Sequence, residues 1–275
     1  MSLAKNEEKL FLKYLNILGI QKTAPSFRAL KEIIKAQTSK IPFENISKLY
    51  YKKQNGLNSF IDFELYLEGI EKYSFGGTCY SINFYLYQLL NWLGYDVKLC
   101  GADMKNPDVH LVNIVKTENR EFLVDAAYAA PFSEPLPLDS ISDFQIICGE
   151  DRYVLKPKSL NNRHRVELYR KGKLIHAYSV NPKARDIVEF QQVIADSFDE
   201  SSTFMNALLL TRFDDEDFII IHNMTLIESK GRESKYFNLT SMDDLASVIE
   251  ERFGIPKTIV LESLSNFQMR KDGWQ

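Results

Sequence analysis

The chain predicts an α+β fold, and three observations carry the prediction. Apolar residues recur with a helical period through the first third, the period falls to about two after Tyr95, and the last portion mixes short apolar strands with a capped helix. These elements come in runs and do not alternate strand, helix, strand, so a doubly wound parallel sheet is not expected.

Taken in order, Leu10, Phe11, Tyr14, Leu15 and Leu18 form one face of a first helix that Gly19 stops. Phe27, Leu30, Ile33, Ile34 and Gln37 predict a second, with Pro25 near its start and Pro42 beyond its end. The segment IPFENIS at 41–47 and a polar loop around Gln54 to Asn58 lead to a third. There Ser59 and Asp62 have capping-box spacing, and Phe63, Leu67 and Ile70 share a face. A Gly76-Gly77 break then precedes Cys79 and an apolar helical run through Ile82, Leu86, Leu89, Leu90 and Leu93, closed by Gly94.

Strands are expected at 109–115 (VHLVNIV), 121–125 (EFLVD), 144–148 and 152–155. HRVELYR and KLIHAYS should form a hairpin about the Lys171-Gly172 turn. Residues 186–198 read as an amphipathic helix with Ile187, Phe190, Ile194 and Phe198 inward. ALLLTRF and FIIIHN flank an acidic turn from Asp214 to Asp217, and strand continues through Leu226 and Phe237. Ser241 and Asp244 cap a last helix with Leu245, Val248, Ile249 and Arg252 that ends at Gly254, and residues beyond Phe267 read as a tail.

Composition narrows the function classes. With 275 residues, 45% apolar and 26% charged, the chain is an ordinary globular sequence large enough for one elaborated fold or two to three subdomains. A net charge of −3 gives no electrostatic reason to expect nucleic acid or an anionic membrane as partner. No basic start leads into an apolar core and no apolar run spans a bilayer, so a cytoplasmic location is expected. Cys79, Cys100 and Cys148 show neither CxxC nor CxH spacing, which speaks against a disulfide framework and a metal site. The glycine pair has neither dinucleotide-fingerprint nor Walker spacing.

Cysteine chemistry is therefore nucleophilic if it exists. At a helix start the unpaired N–H groups and the macrodipole favour a thiolate over a thiol, although a small side chain packed under a helix has the same sequence signature. A nucleophile of this kind needs a base and a group to orient that base. Of His110, His164, His176 and His222, the first has the best-placed carboxylate. In a hairpin of 109–115 with 121–125, a two-residue loop at Thr117-Glu118 sets His110 opposite Asp125. A four-residue loop, Thr117 to Arg120, sets His110 opposite Ala127 with Asp125 diagonal, and both registers put the two side chains on one face. An odd loop would separate them. His176 has Glu167 in range across its own turn.

IPFENIS at 41–47, FGGTCYSIN at 75–83, VHLV at 109–112, FLVDAAYAAPFSEPLPL at 122–138 and SSTF at 201–204 resemble, in order and spacing, the arylamine N-acetyltransferases. The resemblance runs over essentially the whole chain. It implies a helical domain (1–94) carrying the nucleophile, a β-barrel domain (95–185) carrying base and carboxylate, and a helix with an α/β lid (186–275), with a papain-like triad at the first interface. By that likeness Cys79 is the acyl-accepting nucleophile, His110 the base and Asp125 the orienting carboxylate. Phe43, Tyr128 and Phe204 match positions that line the arylamine site. Acetyl-CoA is then a co-substrate with no bound cofactor and no metal, and a small aromatic amine or hydrazine is the acceptor in a ping-pong reaction. A diverged amide synthase, an acyltransferase with another donor, and a non-catalytic binding module are the alternatives.

Four positions depart from the family pattern. Phe75 stands where the family usually has Arg, Ser81 where it has Glu or Gln, and Ala127 and Ala129 where it has glycines. Without that Arg, Glu44 must find another partner or face water.

Overall fold

The computed structural model describes residues 2–214, 217–231 and 233–269, with side chains from residue 6 onward. Helices α1 (Ser2–Leu18) and α2 (Phe27–Lys40) come first, the second capped by Ser26, whose side chain accepts from the Ala29 N–H. Strand β1 (Phe43–Glu44) and helix α3 (Ile46–Asn55) follow. The polar loop expected at 54–58 is thus preceded by a full helix that ends on Gly56 in the left-handed region. Helix α4 (Phe63–Tyr73) is capped by Asp62, which accepts from the Leu65 N–H, so the expected capping box opening at Ser59 does not form. Helix α5 (Cys79–Trp92) then places Cys79 in its first position.

An eight-stranded antiparallel, barrel-like sheet forms the middle of the chain: β2 (Asp96–Asp103), β3 (His110–Thr117), β4 (Arg120–Val124), β5 (Leu136–Pro137), β6 (Phe144–Cys148), β7 (Asp151–Lys156), β8 (His164–Arg170) and β9 (Lys173–Val180). Its order is β5-β4-β3-β2-β9-β8-β7-β6. In the β3–β4 hairpin Thr117 pairs with Arg120 across a two-residue turn, Glu118-Asn119, with both residues at positive φ. Asn113 faces Val124, the register of the four-residue alternative reached with a two-residue turn. The same-face outcome holds.

The expected helix over 186–198 is a 3₁₀ turn (Ile187–Phe190), opened by a capping box of Asp186 and Glu189, that runs into α6 (Gln191–Asp196). Short α7 (Thr203–Asn206) precedes β10 (Leu209–Asp214), β11 (Asp217–His222), β12 (Thr225–Lys230) and β13 (Glu233–Asn238). Helices α8 (Met242–Phe253), capped by Ser241 as expected, and α9 (Lys257–Leu264) complete the chain. Most of the expected tail, from residue 270, lies outside the described residues.

The second sheet has the order β1-β10-β11-β12-β13, so the N-terminal segment supplies its edge strand: Phe43 pairs with Thr211 and Glu44 with Leu210. Asn45 adds to this tie. Its Nδ2 donates to the carbonyls of Phe204 (2.9 Å) and Ala207 (2.8 Å), and its Oδ1 accepts from the Leu209 N–H (2.9 Å). One apolar core joins α1, α2, α4 and α5 to one face of β2–β4 and to Phe190, Ile194 and Phe198, and a second fills the barrel-like sheet.

Candidate active site

Two glycines fix where α5 begins. A Cβ at Gly76 would run into the Pro42 carbonyl oxygen, and Gly77 takes φ +132°, where L side chains are strained. The pair lies against β1: Phe43 and Gly77 form a parallel bridge, the Glu44 N–H donates to Gly77 O at 3.0 Å, and Glu44 Oε1 accepts from the Gly76 N–H at 3.1 Å. Thr78 is the N-cap and makes no side-chain capping hydrogen bond. No side-chain cap therefore takes a first-turn amide of α5, and Cys79 at its first position is buried.

His110 opens β3 and Asp125 directly follows β4. Each is only 2% exposed, and His110 Nε2 lies 2.8 Å from Asp125 Oδ2. With Nε2 engaged, Nδ1 is the ring nitrogen left for Cys79, whose side chain acts on the ring from close by. Burial opposes a charged ring, but the charges of Asp125 and Cys79 and their hydrogen bonds outweigh it, and His110 is pushed up to about 10. For Asp125 burial again opposes charge, and His110 with its neutral donors holds the carboxyl below the usual range. The three residues singled out from sequence thus meet in one buried constellation.

Two further residues position it. Asp125 Oδ2 also accepts from the Tyr178 hydroxyl (2.8 Å), and Oδ1 accepts from Asn83 Nδ2 (2.8 Å) and the Ala127 N–H (3.1 Å). Asn83 bonds the Leu111 carbonyl and the Ala126 N–H as well, so it pins the starts of β3 and of the post-β4 loop to α5. It lies four residues after Cys79, on the same helical face, and this spacing marks it within GG-x-C-x-x-x-N. Tyr178 is on β9 and carries no comparable signal in the sequence.

The competing histidine pairing does not form. His176 Nδ1 bonds the Tyr128 hydroxyl at 2.7 Å, while Glu167 is taken by Arg165 and Tyr169. Burial and the nearby His110 charge push His176 down to about 4. Among the matched aromatics, Phe43 and Phe204 meet edge to face at 5.3 Å, in the apolar cluster that holds Cys79. Tyr128 belongs to the barrel-side core, its ring 5.9 Å from that of His110 and 4.6 Å from Tyr178.

The departures have local solutions. Phe75 is buried against Tyr50, Tyr51 and Tyr73. Glu44 is fully buried with amide partners, Gly76 and Ser47 (2.8 Å), and burial raises its carboxyl despite them. Ser81 turns its hydroxyl back to the Thr78 carbonyl at 3.2 Å. Ala129 keeps a left-handed φ of +60°, the conformation a glycine there would adopt freely. Among the described residues no group of three or more His, Cys, Asp or Glu is arranged to hold a metal, and no helix is long and apolar enough to cross a membrane.

Comparison with known proteins places this geometry among relatives. A family described as N-acetyltransferase matches residues 26–260. The chain is similar to arylamine N-acetyltransferase 1 of Felis catus, 26% identical over 191 residues that cover 60% of this chain and 70% of that protein. It is also similar to proansamycin X synthase of Amycolatopsis mediterranei, 26% identical over 167 residues covering 54% of this chain and 63% of that protein. In fold it is similar to the arylamine N-acetyltransferase of Mycobacterium marinum solved in complex with CoA, with a TM-score of 0.78, 18% identity, and coverage of 94% of this chain and 100% of that one.

Proposed function

On the premise that the chain belongs to the arylamine N-acetyltransferase family and is an acyltransferase, we propose that it moves an acetyl group from acetyl-CoA to an arylamine or hydrazine through a thioester on Cys79. The buried Cys79–His110–Asp125 constellation carries this reading. Cys79 Sγ attacks the thioester carbonyl of acetyl-CoA, His110 gives its proton to the departing CoA sulfur, and an acetyl-Cys79 thioester remains. The amine nitrogen then attacks that thioester, its proton passes to His110, and Cys79 leaves as thiolate, restoring the starting pair. The carbonyl oxygen that becomes negative in each step is met by first-turn amides of α5. Phe43, Phe204 and Tyr128 form the acceptor's apolar surround, the helical domain, barrel and lid meet at this centre, and the reaction runs in the cytoplasm.

Intact-protein mass spectrometry tests the reading. Incubation with acetyl-CoA alone should add one acetyl group, absent in Cys79→Ser and discharged by an arylamine or hydrazide. A second reading, an amide synthase or an acyltransferase using another carbonyl source, is favoured by the likeness to proansamycin X synthase. It predicts no acetyl adduct but labelling of Cys79 by iodoacetamide at neutral pH.

A further inference from the structure

Beside the nucleophile lies a small pocket of about 50 Å³, partly open to solvent, between α3, the loop before α4, the start of α5, and α6 with Phe198 beyond it. Its walls are mostly apolar and include Phe60, Phe75, Tyr80 and Phe198, and it reaches Thr78 and Tyr80, the neighbours of Cys79 on either side. None of Phe43, Tyr128 and Phe204 lines it. A single formal charge, Lys48, stands among its lining residues.

Lys48 is 8% exposed. Its Nζ donates to the Ser197 carbonyl at 2.6 Å and to Ser197 Oγ at 2.7 Å, and it sits 4.2 Å from the centre of the Phe198 ring. An ammonium has three donors, so one remains for a ligand. No carboxylate pairs with it among the described residues. A buried cation with no carboxylate hydrogen-bonded to it is an unfavourable arrangement, and an arriving anion relieves it.

We propose that Lys48 recognises a carboxylate carried on a small aromatic or aliphatic group, and so selects anionic substrates beside Cys79. The low-polarity walls strengthen such a charge-assisted bond by excluding water. The titratable groups that act on Lys48 are Cys79 on α5 and Lys52 on α3, while Ser197 and Phe198 after α6 offer neutral contacts. Burial above all, with Lys52 adding to it and Cys79 opposing it, brings Lys48 down to about 7. Anion binding therefore draws a proton onto Lys48 and is tighter at pH 6 than at pH 8. The carboxylate has two possible carriers, the acyl group and the amine acceptor. Assigning the carrier rests on the acetyl-transfer reading, whereas carboxylate binding does not.

Calorimetric titration of the native protein at pH 6 with benzoate and with its neutral isostere benzamide decides the matter. Benzoate should bind about tenfold tighter, and Lys48→Met should erase that preference while leaving benzamide affinity unchanged. Equal binding of acid and amide by the native protein, binding of neither at millimolar concentration, or a preference that survives in Lys48→Met overturns the proposal. The native comparison needs no variant, so a Lys48→Met protein that fails to fold leaves it decisive. The carrier follows from kcat/KM ratios in native and Lys48→Met proteins. A fall for succinyl-CoA relative to acetyl-CoA assigns the carboxylate to the acyl group, and a fall for 4-aminobenzoate relative to 4-aminobenzamide assigns it to the acceptor. Both ratios unchanged would overturn substrate selection by Lys48. If Cys79 accepts no acyl group the kinetic arms are silent, and the titration still tests the site.

Discussion

Two carboxylates in this molecule are almost completely removed from water, and burial treats them alike while their partners do not. Glu44 accepts from neutral donors, the N–H groups of Ser47 and Gly76, and its carboxyl is raised. Asp125 accepts from neutral donors too, Asn83, Tyr178 and the Ala127 N–H, but it adds the His110 ring and its carboxyl is lowered. Neutral hydrogen bonds offset part of the desolvation penalty, and an opposite charge reverses its sign. The difference separates their proposed tasks. Glu44 clasps the glycine pair ahead of Cys79, whereas Asp125 acts on His110.

Asp125→Asn should produce the largest effect, because it leaves His110 without its charged partner. Acetylation of Cys79, followed by mass in a single turnover, should slow by about 10³–10⁴-fold. Stability in urea should fall by about 3–5 kcal/mol. Glu44→Gln keeps one acceptor oxygen and turns an amide NH₂ toward an N–H, so it should cost about 1–3 kcal/mol and slow acetylation far less. Equal rate losses in the two variants would break the distinction between clasp and charge partner.

The pH dependence of stability should run in opposite directions at the two sites. The lowered Asp125 contributes stability that is present above its unfolded value and lost as pH falls through its native one. The raised Glu44 is the reverse: its contribution is present below its unfolded value and lost as pH rises through the native one. His110, pushed up to about 10, stabilises fully below 6.5 and loses that contribution as pH climbs through about 10. In Tm measured against pH, Asp125→Asn should remove the alkaline loss assigned to His110, and Glu44→Gln should remove the decline that begins above the usual glutamate range. A Glu44→Gln profile parallel to the native one would show that Glu44 is not raised.

How far the sequence revealed this follows from where the signals lie. Local chemistry was legible: Ser241 caps its helix, Gly254 ends α8, and the Lys171-Gly172 turn joins β8 to β9. The pairing of His110 with Asp125 was legible as well, because a hairpin converts a fifteen-residue separation into a shared face. Helix α3 was not. Its N-cap, Asn45, makes no side-chain cap and spends its amide on Phe204, Ala207 and Leu209, about 160 residues away. Tyr178 escaped for the same reason, being 53 residues from Asp125 on a strand that pairs with β2 only through the barrel-like sheet. Lys48 carried no signal either, because the chain that folds over it, after α6, lies 149 residues away in sequence.

Tyr178→Phe offers the smallest and sharpest test of the comparison. The ring stays, its contacts with His110 and Tyr128 stay, and only the hydroxyl leaves Asp125 Oδ2. Three donors remain on the carboxylate, among them the charged ring, so the sign of its shift should survive at reduced size. The stability cost should be about 1 kcal/mol, and single-turnover acetylation should slow only a few-fold. On acidification, stability should begin to fall at a higher pH than in the native protein, since the native carboxyl now lies closer to its unfolded value. If Tyr178→Phe instead matched Asp125→Asn in rate, the neutral hydroxyl would be holding the centre together, and the charge of His110 would not be what sets Asp125 apart from Glu44.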